Sequence, residues 1–108
     1  MKIFYRLLIL IISTQVLSCS NNEKEISLIK ETNQELEMVE TYKEAMDNLE
    51  KKEYFIASKK FLESELLFPQ SDWAPKSALM AAYSYYMLDY YSEAIFNLER
   101  FIQTYPLD

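Results

Sequence analysis

The sequence contains no glycine and no histidine among its 108 residues. Without glycine, no turn has the residue that adopts positive φ at least cost. Two-residue β-hairpin turns depend on such residues, so a chain of helices joined by short polar turns is favoured. Without histidine, the commonest general base and the commonest metal ligand are missing. Cys19 is the single cysteine, which excludes an internal disulfide. No Gly-rich phosphate loop and no nucleophile–base pair is present, so the sequence points to no enzyme, no cofactor and no metal site. Basic residues are scarce as well. If residues 1–18 are removed, Lys2 and Arg6 go with them, and 9 basic side chains face 17 acidic ones. A net charge of −8 repels phosphate backbones, so nucleic acid is excluded as a partner.

Tyrosine, by contrast, is abundant, and half of the residues are hydrophobic, which argues for a packed domain rather than a disordered chain. The apolar positions repeat. Tyr54, Ala57, Phe61, Ser64 and Pro69 are followed 37 residues later by Tyr91, Ala94, Leu98, Phe101 and Pro106. Ala45 and Leu49 project onto Ala82 and Tyr86 at the same interval. A fixed period of this size marks stacked supersecondary units. The order Ala, aromatic, Pro is that of tetratricopeptide (TPR) hairpins, whose usual period is about 34 residues. The predicted fold is therefore all-α, with two enlarged TPR-like hairpins over residues 37–71 and 72–108.

Residues 1–18 form a basic, then apolar, then small-residue segment that fits a secretory signal peptide. Its apolar run, residues 7–12, is far shorter than the roughly 20 residues a spanning helix needs. Val16-Leu17-Ser18-Cys19 resembles a bacterial lipobox, which makes Cys19 the expected lipid attachment site. A cleaved secretory signal and an uncleaved anchor with an incidental Cys are the alternatives. Ser20 after the Cys suggests sorting to the outer membrane. Residues 19–36 read as the lipidated Cys and a polar tether, whose later part has helix-forming composition.

The first helix is predicted over residues 37–51, with Val39, Tyr42, Met46 and Leu49 in one stripe. Lys52 lies in a turn without glycine, where a left-handed conformation is a source of strain. The second helix carries Tyr54, Ala57, Phe61 and Ser64 inward and stops at Phe68-Pro69. Asp72 is the expected N-cap of the third helix, with Pro75 in its first turn. That helix is apolar nearly all round, so coverage on several sides is expected. Asp89 ends it, and the fourth helix repeats the motif to Pro106. Ala45, Ala57, Ala82, Ala94, Phe61 and Leu98 are expected to pack. Phe101, Ile102 and Tyr105 are left with nothing following to cover them, and the expectation is that the chain is the front part of a longer protein, the alternative being that they dock on a partner or another copy. Asp47, Glu50 and Glu53 read as a solvated acidic surface.

Several stretches are specific: Phe61-Leu-Glu-Ser-Glu65, Phe68-Pro-Gln-Ser71, Trp73-Ala74, Lys76-Ser-Ala-Leu-Met-Ala-Ala-Tyr83, and Leu98-Glu-Arg-Phe-Ile102 before Tyr105-Pro106. Together with the lipobox they resemble the BamD family of outer-membrane β-barrel assembly lipoproteins, also called ComL or YfiO. The resemblance covers residues 42–106. It implies a non-catalytic scaffold on the periplasmic face of the outer membrane, held there by its N-terminal lipid. The implied partners are a BamA-type insertase, other assembly-complex subunits and unfolded β-barrel precursors. The early hairpins of the family are associated with precursor recognition. On TPR geometry the candidate groove residues are Tyr42, Met46, Leu49 and Glu50 of the first helix, with Leu79, Tyr83, Tyr86 and Met87 of the third; the alternative is that most of them are inter-repeat core. Tyr and Met suit a groove that accepts varied apolar segments. The alternative is a different periplasmic TPR lipoprotein acting as an envelope or cell-wall adapter.

Overall fold

A computed structural model describes residues 1, 3 and 22–107, with side chains described from residue 30 onward apart from residues 1 and 3. The signal peptide and Cys19 lie outside the described residues, apart from Met1 and Ile3. Among the described residues four long helices follow in order: α1 (Asn22–Glu50), α2 (Tyr54–Leu67), α3 (Trp73–Met87) and α4 (Tyr91–Thr104). No strand occurs among the described residues. The chain divides into two units, Met1–Lys30 and Glu31–Asp108. The second holds the packed helices and is the subject below.

α1 begins at Asn22, well ahead of the start predicted at residue 37. The apolar stripe begins only near residue 39, whereas the preceding Lys-, Glu- and Gln-rich residues extend the helix because they are good helix formers. Within the packed part, the residues fully or nearly buried are Met38, Thr41 and Ala45, with Tyr42, Met46 and Leu49 half-buried beside them. The small Thr41 and Ala45 permit close packing, Met38 fills the interior, and Tyr42, Met46 and Leu49 lie at the margins.

The two inter-helix turns within the hairpins are built alike. In the first, the Lys52 N–H donates to the Leu49 carbonyl (3.0 Å) and the Glu53 N–H to the Asn48 carbonyl (2.9 Å). In the second, Asp89 donates to Tyr86 (3.0 Å) and Tyr90 to Tyr85 (3.0 Å). This pair of bonds is a Schellman C-cap, which needs one left-handed residue, usually glycine. Lys52 and Asp89 occupy that position at φ 62° and 61°, and they are 37 residues apart. The strain anticipated at Lys52 is therefore present. The B helices α2 and α4 then start with matched bonds, Ala57 to the Glu53 carbonyl and Ala94 to the Tyr90 carbonyl, each 2.9 Å. Both end before a proline, at Phe68 (φ −144°) and Tyr105 (φ −121°), because proline pushes its predecessor into extended backbone.

The expected cap at Asp72 is not made. Its backbone is helical (φ −65°, ψ −12°), and its side chain accepts no capping bond. The Ala74 N–H turns to the Ser71 carbonyl instead, at 3.2 Å. Trp73 opens α3 and packs edge-on against Tyr42 of α1, with ring centroids 5.1 Å apart. Tyr42 makes a second edge contact with Phe61 at 5.3 Å, so one tyrosine joins α1, α2 and the start of α3. Its partial burial raises the phenol pKa.

The core is Ala45, Ala57, Phe61 and Ala81, with Tyr42, Met46, Leu49, Leu62 and Met80 packed around it. Phe61 is the largest fully buried side chain. Ser64 joins three helices: its hydroxyl donates to the Met38 carbonyl of α1 (3.0 Å) and lies 3.2 Å from the Ser77 hydroxyl of α3.

α3, expected to be covered on several sides, leaves one apolar face open. Packed between α2 and α4, it buries Ala74, Ser77, Ala78, Ala81, Ala82, Ser84 and Tyr85. Its large apolar residues Leu79, Tyr83, Tyr86 and Met87 are exposed. Small side chains at the buried positions let two neighbouring helices come close, and this directs the bulky residues to the third, uncovered face. α4 behaves similarly, burying Ala94 and Asn97 while Leu98, expected in the core, is 40% exposed. Phe61, its repeat counterpart, is enclosed because Tyr42 and Ala81 reach it from α1 and α3.

Candidate functional site

An apolar groove of about 670 Å³ runs between α3 and α4. Leu79, Tyr83 and Tyr86 form one wall, Tyr91, Ile95 and Leu98 the other, and Met80, Ala82 and Ala94 the floor. The walls follow from helical spacing. Positions 79, 83 and 86 share one face of α3, and positions 91, 95 and 98 share one face of α4. The small floor residues Ala82 and Ala94 bring the backbones together, so the tall walls stand over a shallow base. Tyr86 and Ile95 are each 57% exposed, which leaves their apolar surface open to a ligand.

Two tyrosines meet at one end of the groove. The Tyr86 and Tyr91 rings lie 5.8 Å apart, and the Tyr91 hydroxyl donates to Asp89 Oδ1 at 2.7 Å. That bond, reinforced by the carboxylate charge, raises the Tyr91 pKa. The left-handed turn residue thus also orients a groove tyrosine. An extended chain laid here would meet apolar surface along its length and hydroxyl groups at the Tyr91 end.

The sequence-predicted groove residues fall into two sets. Leu79, Tyr83 and Tyr86 line the groove, and Met87 is exposed near the end of the same helix. Tyr42, Met46 and Leu49 instead pack against the core cluster, and Glu50 is exposed at the end of α1. The structure brings together α3 and α4 residues rather than α1 and α3 residues. Sequence reasoning missed Tyr91, Ile95 and Leu98. Their spacing of four and three residues is visible in the sequence, but Tyr91 and Leu98 match repeat positions, and Leu98 is expected to pack.

A second feature escaped the sequence altogether. Glu65, 4% exposed, receives both Arg100 guanidinium NH groups, one on each carboxylate oxygen, at 2.7 Å. The Tyr105 hydroxyl donates to Glu65 Oε1, also at 2.7 Å. Burial first, then this hydrogen bond, pushes the Tyr105 pKa up to about 12. The hydrogen bond to Glu65 raises the Arg100 pKa as well. Tyr105 and Phe101, expected to stand bare, are half-buried and 5.5 Å apart between ring centroids, whereas Ile102 is 69% exposed.

Among the described residues, no helix is long and apolar enough to cross a membrane, and no cluster of three or more His, Cys, Asp or Glu residues is placed to hold a metal ion.

Two helical hairpins stacked through a small-residue interface, with an open apolar groove on one face, define an all-α scaffold of the TPR type. The family described as YfiO, outer membrane lipoprotein, matches residues 34–108, and the chain belongs to this BamD family. It is 32% identical over 96 residues to the outer membrane protein assembly factor BamD of Caulobacter vibrioides, covering 89% of this chain. The chain spans 30% of the length of that curated relative. No solved structure matches it.

Proposed function

We propose that this chain serves outer-membrane protein assembly as a non-catalytic scaffold, binding extended segments of unfolded β-barrel precursors along the α3–α4 groove. The exposed apolar groove carries the reading. Six large apolar or aromatic side chains form its walls and have no neighbour within the described residues that covers them. Apolar surface of this kind marks a place where another chain binds. Membership of the YfiO family supports the assembly role, and the relative from Caulobacter vibrioides is named for it. A lipid on Cys19 holds the domain at the periplasmic face of the outer membrane, and a BamA-type insertase with other complex subunits are its stable partners.

A photo-reactive residue in place of Tyr86, introduced in the cell, should form adducts with unfolded barrel precursors. The same residue at exposed Glu40 should not. Depletion of the protein should lower the level of outer-membrane barrels. Unchanged barrel levels together with absent precursor adducts would refute the proposal. Cys19→Ala should release the protein from the membrane fraction, and retention with unchanged mobility would remove the lipid anchor.

A further inference from the structure

The close backbone approaches run from α2 to α3 and from α3 to α4. Between α2 and α4 themselves lies a cleft of about 630 Å³, with Leu62 and Leu66 on one bank and Ser92 and Phe96 on the other. Glu65 and Arg100 face each other across it and meet through two bonds of 2.7 Å. Two parallel N–H···O bonds between planar groups are strong and fix orientation as well as distance.

The repeat does not call for this bridge. At the 37-residue interval, Glu65 corresponds to Ile102, Arg100 to Glu63 and Tyr105 to Phe68. Three positions therefore depart from their repeat counterparts together. Tyr105 differs from Phe68 by one oxygen, and that oxygen reaches Glu65 at 2.7 Å.

The interface beneath explains what such a bridge supplies. The buried residues of α3 are Ala and Ser apart from Tyr85, and those of α4 are Ala94 and Asn97. Helix crossing angles are set by side-chain ridges seated in grooves, and small side chains make low ridges. Such an interface allows close approach but resists rotation weakly. We propose that Glu65, Arg100 and Tyr105 form a clamp that sets the angle of α4 on α3, and with it the width of the Leu79–Leu98 groove. They are positioning residues: none lines the groove. The consequence for ligand binding rests on the proposed function, but the clamp itself does not.

The test measures geometry in the full chain, with Cys19→Ala leaving only introduced thiols. Spin labels on Glu40→Cys in α1 and Gln103→Cys in α4, both exposed positions, report their separation by pulsed electron spin resonance. The clamped chain should give one narrow distance distribution. Glu65→Gln and Arg100→Lys should each broaden it at least twofold while the helical circular dichroism stays constant. Tyr105→Phe, which keeps the ring against Phe101, should broaden it less. Distributions as narrow as the parent's in these variants would overturn the proposal. Should Glu65→Gln lose its helical signal, Arg100→Lys and Tyr105→Phe decide the matter by the same criterion. Precursor binding does not enter the readout, so failure of the groove reading leaves this result intact.

Discussion

Replacing Ser64 with alanine probes the point where α1, α2 and α3 meet. A serine hydroxyl has one proton, and that of Ser64 is committed to the Met38 carbonyl at 3.0 Å. The 3.2 Å contact between Ser64 and Ser77 must then be donated by Ser77. Ser64→Ala removes the donor to Met38 and the acceptor of Ser77 in one step. Each lost bond is worth about 0.5–1.5 kcal/mol, and an orphaned buried hydroxyl costs about 1–3 kcal/mol. Ser77 has an escape, since it can turn to a carbonyl one turn back in its own helix, as Ser84 does to Met80 at 2.8 Å. The expected loss is therefore about 1–3 kcal/mol, lowering Tm by roughly 5–20 °C for a domain of this size. Ser77→Ala should cost only about 0.5–1.5 kcal/mol, because Ser64 keeps its bond to Met38. The double variant should cost no more than Ser64→Ala alone, as it leaves no hydroxyl without a partner. Urea unfolding of all four proteins, followed by circular dichroism at 222 nm (an ordinary helical band), closes the double-mutant cycle. Additive costs, or a larger loss for Ser77→Ala than for Ser64→Ala, would refute this assignment of donor and acceptor.

Three further outcomes follow from the packing and the turns. Ala57→Leu inserts three carbons into a site with no exposed surface and should cost about 1–3 kcal/mol in urea unfolding; no change would show that α2 is not closed against α1 and α3 there. Lys52→Gly should stabilise the chain by about 1 kcal/mol by relieving the left-handed backbone. Asp89→Gly should gain less, because it also removes the acceptor of the Tyr91 hydroxyl. Tyr105 has a folded pKa raised from 10.0 to about 12, so its protonated form is favoured in the fold. Its contribution is complete below pH 10 and is lost as pH rises through about 12. The stability difference between the parent and Tyr105→Phe should therefore shrink over that window, and a constant difference would count against the bond to Glu65.

The repeat was the legible part of this fold. Matching residues at 37-residue intervals located both hairpins, the left-handed turn positions and the proline stops, because each follows from local backbone chemistry. The burial of α3 was legible only in part: TPR geometry set Leu79, Tyr83, Tyr86 and Met87 toward a groove, yet composition called for cover on several sides. Its pattern offers two stripes, a small one through Ala74, Ala78 and Ala81 and a bulky one through Leu79, Tyr83 and Tyr86, and hydrophobicity alone favours burying the second. The choice is made by the neighbours: two helices approach α3 at once, and only the small stripe admits them. The Glu65–Arg100–Tyr105 bridge was illegible for another reason. Its members lie 35 and 40 residues apart and break the period instead of following it. The same neighbour effect packs Tyr42, Met46 and Leu49 against the core and sets Leu79, Tyr83 and Tyr86 opposite α4.

The small buried stripe of α3 has a consequence for how such a protein can change over time. Every enlargement along Ala74, Ala78 or Ala81 collides with a neighbouring helix, so that side of α3 is closed to substitution. The opposite side is largely exposed, and exchanges among Leu, Tyr, Met or Phe at positions 79, 83 and 87 would disturb the packing far less, whereas position 86 also carries the ring contact with Tyr91. One helix thus carries two stripes under different constraints: the interior one is fixed by packing, while the outer one is freer to vary.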